Sequence, residues 1–303
     1  MSAQPIGRVV RLDAKVAHVE VDGVVHQCAL RGQLFEGLED QRAPVCVGDW
    51  VEVELSTTPG AVERVLPRKS KLSRAWMREG APLEQVLVAN VDQVLLVAAC
   101  AEPRLSLHFV DRVLCAAELN HLPAVIVCTK ADLAPRGLVQ EMQKIYAVPG
   151  YEVVAVAKGK EEGVERVREL LRGKLSVVTG LSGAGKSTLL NRVDPALSLK
   201  TGQVSKKWET GRHTTTHSQL LRLAALEGYV IDTPGLRNFV VLRDDRTPLS
   251  HLFPEFHRHL DACGFADCTH SHEPDCAVLR AVEAEQIPAS RFGSYQAMVE
   301  EGI

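Results

Sequence analysis

GLSGAGKST, residues 180–188, fits the pattern G-x-x-x-x-G-K-[ST] and stands where that pattern has meaning, after the strand-like LSVVT and ahead of the helix-like STLLNRV. The glycines let the backbone turn so that its N–H groups and a helix N-terminus face phosphate oxygens. Lys186 then reaches the outer phosphates and the Ser187 hydroxyl ligates Mg²⁺. The whole stretch, Gly180, Leu181, Ser182, Gly183, Ala184, Gly185, Lys186, Ser187 and Thr188, is expected to line the nucleotide's phosphates.

Working outward, the flanking segments extend the same chemistry. Downstream, DTPG at residues 232–235 ends the strand-like YVI. An acidic residue at a strand tip suits a role beside Mg²⁺, and the Gly235 amide suits a γ-phosphate. Between the two motifs lies GRHTTT, residues 211–216, in a stretch without apolar period. One hydroxyl among Thr214, Thr215 and Thr216 is suited to bind Mg²⁺ only while a γ-phosphate is present, which would make the loop a switch. Ser187, Asp232 and one of these threonines, taken as Thr215, form the expected Mg²⁺ set. Upstream, TKAD at residues 129–132 ends the strand-like AVIVC, and Ala157-Lys158 ends YEVVAV. A carboxylate at the place of Asp132 accepts two hydrogen bonds from the guanine N1 and N2 edge, which adenine cannot donate. A backbone N–H near Ala157 can meet guanine O6. An ATP-using kinase or ATPase would fit the phosphate loop alone; Asp132 argues against it.

The phosphate loop sits inside an alternation of buried-strand runs (VDQVLLVAA, AVIVCTK, YEVVAVA, LSVVTG, YVIDTPG) with helix-like segments such as HFVDRVLCAAELN and GVERVRELLRG. That alternation predicts a parallel sheet covered by helices. Ahead of it, RVVRL, AKVAHVEV, VVHQCAL, DWVEVEL and AVERVL read as five short strands with a tight turn at Asp22-Gly23, predicting a small OB-like barrel. Between barrel and sheet, Arg68, Lys69, Lys71, Arg74 and Arg78 read as a solvated linker. Beyond residue 240, three of the eight cysteines gather as Cys263-x4-Cys268-x-His270-x5-Cys276. Three thiolates and one imidazole complete a tetrahedral Zn²⁺ set with no position left for a catalytic water. His272 is a competing ligand on spacing alone. The other five cysteines are scattered through apolar segments, as reduced thiols of a cytoplasmic protein are.

Composition fits this plan. The 303 residues, 46% apolar and 24% charged, exceed one typical domain. The longest apolar run, residues 94–101, is far too short to cross a bilayer. A net charge of -3 gives no global attraction to nucleic acid, so an RNA partner must be met through local basic patches. The reading is multidomain: an all-β OB-like barrel at 1–67, an α/β P-loop GTPase domain at 68–240, and a small zinc-binding helical domain at 241–303.

Taken in chain order, TKAD, VAK, GLSGAGKST, GRHTTT and DTPG resemble the five elements of the TRAFAC-class GTPases, rearranged. Ordinary members place the phosphate loop first and the guanine-reading elements last. This chain is similar to the circularly permuted branch that serves small-subunit ribosome biogenesis, and the resemblance runs through the barrel, the GRHTTT loop, the Cys/His cluster and the final helices. Permutation is tolerable because domain termini lie close together at the surface. The resemblance implies a GTP hydrolase using GTP/GDP, Mg²⁺ and one structural Zn²⁺, with His270 as the fourth zinc ligand. It implies a monomer that meets no membrane, binds the small (30S) subunit and its rRNA, assists late maturation, and leaves after ribosome-stimulated hydrolysis. Two rivals stand beside it: a permuted GTPase acting on another ribonucleoprotein, and an RNA-binding zinc protein with a regulatory nucleotide site. Thr129 takes the place of the usual Asn of this motif, with Lys130 and Lys158 as its neighbours at the base, and Val156 takes the place of a serine. Leu236 follows DTPG where Ras-like proteins carry a water-orienting glutamine. The resemblance offers His213 as the catalytic replacement, beside Lys186.

Overall fold

The computed structural model describes residues 4–36, 43–78, 81–199, 219–232 and 247–302, of which 74–78, 81–84 and 232 are described by their backbone alone. The expected switch residues His213, Thr214, Thr215, Thr216, Gly235 and Leu236 lie outside the described residues.

Five strands, β1 (Ile6–Asp13), β2 (Val16–Val21), β3 (Val24–Leu30), β4 (Trp50–Glu54) and β5 (Gly60–Val65), close into a barrel in the order β1-β2-β3-β5-β4. Asp22 and Gly23, at φ 47° and 81°, form the two-residue turn that pairs Val21 with Val24. Both positions need positive φ, which is why an Asp-Gly pair sits there. Alternate residues point inward, so the barrel core is almost wholly valine and alanine: Val9, Ala17, Val19, Val51, Val53 and Val62 are buried around Cys28.

The basic run after the barrel faces water at Lys69 and Lys71, as expected, but it is not a linker. Lys71–Arg78 forms β6, which pairs antiparallel with β7 (Ala81–Ala89) in a two-stranded ribbon. Arg68 is drawn back onto the barrel, its Nε and Nη2 donating to fully buried Asp49 at 2.7 and 2.9 Å, and Asp49 also caps the Cys46 N–H at 2.8 Å. A charge run had only its sign to offer, whereas the buried Asp49 carboxylate needed a cation and took one.

The second sheet has six strands in the order β10-β9-β8-β11-β13-β12, namely β8 (Gln93–Ala99), β9 (Ala124–Thr129), β10 (Glu152–Ala155), β11 (Leu175–Thr179), β12 (Leu221–Leu223) and β13 (Gly228–Asp232). β9 with β10 and β11 with β13 pair parallel, while β12 pairs antiparallel with β13. Strands β8, β9 and β11 are buried along their whole length, as a sheet covered on both faces requires. The connecting helices are α1 (Leu107–Leu119), α2 (Leu138–Ala147), α3 (Glu162–Leu171) and α4 (Lys186–Val193), followed by α5 (His257–Leu260), α6 (Ala277–Glu283) and α7 (Ala289–Glu300). Among the described residues, no helix is long and apolar enough to cross a membrane.

The chain divides into two compact units, one of Met1–Val94, Arg168–Val178 and Leu190–Gly235, the other of Leu95–Val167, Thr179–Leu189 and Leu236–Ile303. The phosphate loop, the TKAD and AK segments and the Cys/His cluster all belong to the second. Its C-terminal core is aromatic: Phe253, Phe256, Phe292 and Tyr295 pack with Val278 and Met298, and α1 contributes Cys115 and Ala116.

Candidate nucleotide site and metal centre

The phosphate loop is shaped by what surrounds it. At Gly180 a Cβ would lie 2.1 Å from the Val97 carbonyl oxygen of β8, so only glycine lets the loop leave β11 this close to its neighbour. Gly183 and Gly185 have φ of 81° and 89°, which turn the loop into the start of α4 at Lys186. Lys186 Nζ is folded over the loop and donates to the carbonyls of Gly180 at 2.8 Å and Leu181 at 3.0 Å.

The TKAD segment, the expected reader of guanine, lies against this loop. Thr129, at the end of β9, donates its hydroxyl to the Ala184 carbonyl at 2.6 Å. Lys130, in the left-handed region at φ 53°, sends Nζ to the Gly183 carbonyl at 3.0 Å and to the Glu102 carbonyl. Asp132 sits in a short 3₁₀ turn, Ala131–Leu133, and its Oδ1 accepts the Lys158 N–H at 2.9 Å. Ala131 N–H donates to the Val156 carbonyl at 3.2 Å, and Val156 N–H to the Cys128 carbonyl at 2.8 Å. The TKAD and VAK segments, 26 residues apart at Asp132 and Lys158, are thereby knitted into one surface by backbone bonds. The amide of Lys158 thus helps hold the Asp132 carboxylate. Sequence reading had the residues but not these ties, because backbone donors leave no mark on residue type.

Of the expected Mg²⁺ set, Ser187 lies in the first turn of α4 and Asp232 ends β13. The latter's backbone pairs with Val178, two residues before Gly180.

Cys263, Cys268, His270 and Cys276 come together, with their ligand atoms all within 4.8 Å of one another, and His272 stands outside the group. His270 Nδ1 lies 3.6 Å from Cys263 Sγ and 3.5 Å from Cys276 Sγ. A tetrahedral Zn²⁺ with bonds of about 2.3 Å to sulfur and about 2.0 Å to nitrogen separates such ligands by about 3.5 Å. The donor set therefore fits that ion. The surroundings hold the ligands in place. Glu273 accepts the N–H groups of Thr269, Ser271 and His272 at 2.8, 3.0 and 3.2 Å, Tyr295 donates its hydroxyl to the Thr269 carbonyl at 2.7 Å, and the Phe256 ring meets His270 edge-on. Burial lowers the His270 pKa, which keeps the ring neutral and able to donate a lone pair. Cys276 also opens α6, its Sγ accepting the Leu279 N–H at 3.5 Å, so one residue is both cluster member and helix cap.

Comparisons with known proteins find relatives along almost the whole chain. The family model described as "RsgA GTPase" matches residues 65–242. A relative from Alkaliphilus metalliredigens, named "Small ribosomal subunit biogenesis GTPase RsgA", is 36% identical over 97% of each chain. One of the same name from Thermotoga petrophila is 38% identical over 98% of this chain and 97% of its own. Among solved structures, YjeQ from Thermotoga maritima superposes with a TM-score of 0.78 at 36% identity, covering 98% of both chains. YloQ, described as a circularly permuted GTPase, superposes at 0.73 with 26% identity over 99% of this chain and 95% of its own.

Proposed function

Since the chain belongs to the RsgA GTPase family, and so hydrolyses GTP, we propose that it does so on the small ribosomal subunit, assisting a late step of maturation and leaving once GTP is cleaved. The observation that carries this reading is similarity along almost the entire chain, barrel and Cys/His region included, to relatives named for small-subunit biogenesis. A protein sharing only the nucleotide fold would match only there.

In this reading the barrel (1–67), the permuted GTPase domain (68–240) and the zinc domain (241–303) are separate working parts, and the protein acts as a cytoplasmic monomer with the outer two parts meeting rRNA. Asp132 reads the N1 and N2 edge of guanine, and the amides near Ala157 and Lys158 face O6. The loop Gly180–Thr188 wraps the phosphates, with Lys186 exchanging its two carbonyl partners for phosphate oxygens. Ser187, Asp232 and one threonine of 214–216 hold Mg²⁺, which neutralises charge developing on the phosphates. Leu236 cannot orient water, so His213 takes that task once the switch loop is set. Cys263, Cys268, His270 and Cys276 hold Zn²⁺, which supplies folding free energy to a region with a small core.

The test is cosedimentation. With a non-hydrolysable GTP analogue the protein should travel with small subunits and not with large ones, and GDP should release it. Equal binding to both subunits, or none to either, would reject the ribosomal assignment.

A further inference from the structure

The C-terminal part carries its charge differently from the rest of the chain. Residues 247–302 hold nine acidic side chains against three arginines and no lysine, whereas the remainder, with 29 acidic and 32 basic side chains, leans the other way. A Zn²⁺ among three thiolates and a neutral imidazole adds one more negative charge. Phosphate backbones are gripped by lysine and arginine, and this part has few to give. Arg291 is buried against Asp111 and Glu255. Arg280 lies along its own surroundings, Nη2 donating to the Ala262 carbonyl at 3.5 Å with Nη1 3.9 Å from Asp275.

An apolar loop projects from this acidic part. Ala262, Phe265 and Ala266 are exposed, Phe265 by 49%. The loop is braced: Cys263 and Cys268 join the Cys/His cluster, the Cys268 N–H donates to the Phe265 carbonyl at 3.3 Å, and the Gly264 N–H to the Asp275 carbonyl at 3.2 Å. Asp261, Asp267 and Asp275 flank it and are exposed, and the carboxylates of the first two have no partner among the described residues. An exposed apolar patch with a polar rim marks a protein contact, and the sign of this rim selects a cationic one.

We propose that Phe265 anchors a lysine- and arginine-rich protein segment whose cations meet Asp261, Asp267 and Asp275. The proposal rests on the small-subunit reading above and names the partner that this part takes on that particle. Contact with rRNA there gains nothing from charge.

The sign of a charge change tests this. The full chain carrying Asp261→Lys and Asp267→Lys is titrated with purified small subunits in the presence of a non-hydrolysable GTP analogue. It should bind about tenfold more weakly than the wild type at low salt, and the gap should narrow as salt rises. Against a phosphate partner two added lysines tighten binding, so tighter or unchanged binding would overturn the proposal. Phe265→Ala, with zinc content as in the wild type, should weaken binding at every salt concentration; unchanged affinity would overturn the anchor. A benzophenone amino acid at position 265 should cross-link under light to a basic protein, giving an adduct that protease removes and nuclease does not. An RNA adduct, or none, would overturn the assignment. Failure of the wild type to bind small subunits would reject the ribosomal reading itself, a separate result.

Discussion

Arg291 of α7 and Asp111 of α1 meet at 2.6 Å with both side chains fully buried. The same guanidinium holds Glu255 at 2.6 Å, lies over the Phe253 ring at 4.6 Å, and shares Asp111 with the Tyr146 hydroxyl, which donates at 2.8 Å. Burial raises the Asp111 carboxyl above its ordinary value and Arg291 opposes it. This cluster ties the C-terminal helices to the helix that follows β8. A second, more exposed contact repeats the tie where Glu301 meets Arg112 and His108.

Removing one member of a buried charge cluster leaves the others unpaired, and that is where the cost lies. Arg291→Met should destabilise the protein by about 3–5 kcal/mol in denaturant unfolding. Converting Asp111 and Glu255 to Asn and Gln in the same chain should recover part of the loss. A single variant as stable as the wild type would mean that the cluster contributes nothing.

The cluster of Cys263, Cys268, His270 and Cys276 predicts one Zn²⁺ per chain. Cys268→Ser should release it and melt the C-terminal region while nucleotide binding persists, and acid should release it by protonating the ligands. Metal analysis of a Cys263→Ser, Cys268→Ser double variant is the check; stoichiometric zinc there would refute the ligand set.

In the proposed function Asp132, whose carboxylate accepts the Lys158 N–H at 2.9 Å, decides base choice. Asp132→Asn should lose GTP affinity on the order of a hundredfold and turn toward xanthine nucleotides, whose 2-oxygen accepts where the guanine amine donates. Equal GTP affinity in variant and wild type would remove Asp132 from the base site.

Much of this was legible from residues alone. The strands of the barrel and sheet followed from alternation and apolar runs, and the phosphate loop and Cys/His spacing from patterns with a mechanism behind them. The ribbon β6-β7 was not legible, because Lys71, Arg74 and Arg78 look like a solvated run and strand pairing depends on a partner more than on composition. The Arg291 cluster was hidden for a similar reason: a single arginine in SRFGSYQAMVEE gives no sign that two carboxylates from residues 111 and 255 will close on it. Three-letter stretches such as β12 are too short to carry a period.

His213 carries the catalytic reading because Leu236 cannot bond water. His213→Ala should lower ribosome-stimulated turnover by about a hundredfold with GTP affinity nearly unchanged, the mark of a contact made only in the transition state. Lys186→Ala should impair binding and turnover together. Wild-type turnover in the His213 variant would assign the water to another residue or to rRNA.

The central claim, a GTPase whose switch is set by the small subunit, is tested most directly by GTP turnover of the purified protein alone, with small subunits, and with large subunits. Slow turnover alone and with large subunits, and strong acceleration by small subunits, is the predicted result. A rate that small subunits leave unchanged, or that large subunits raise equally, would contradict it.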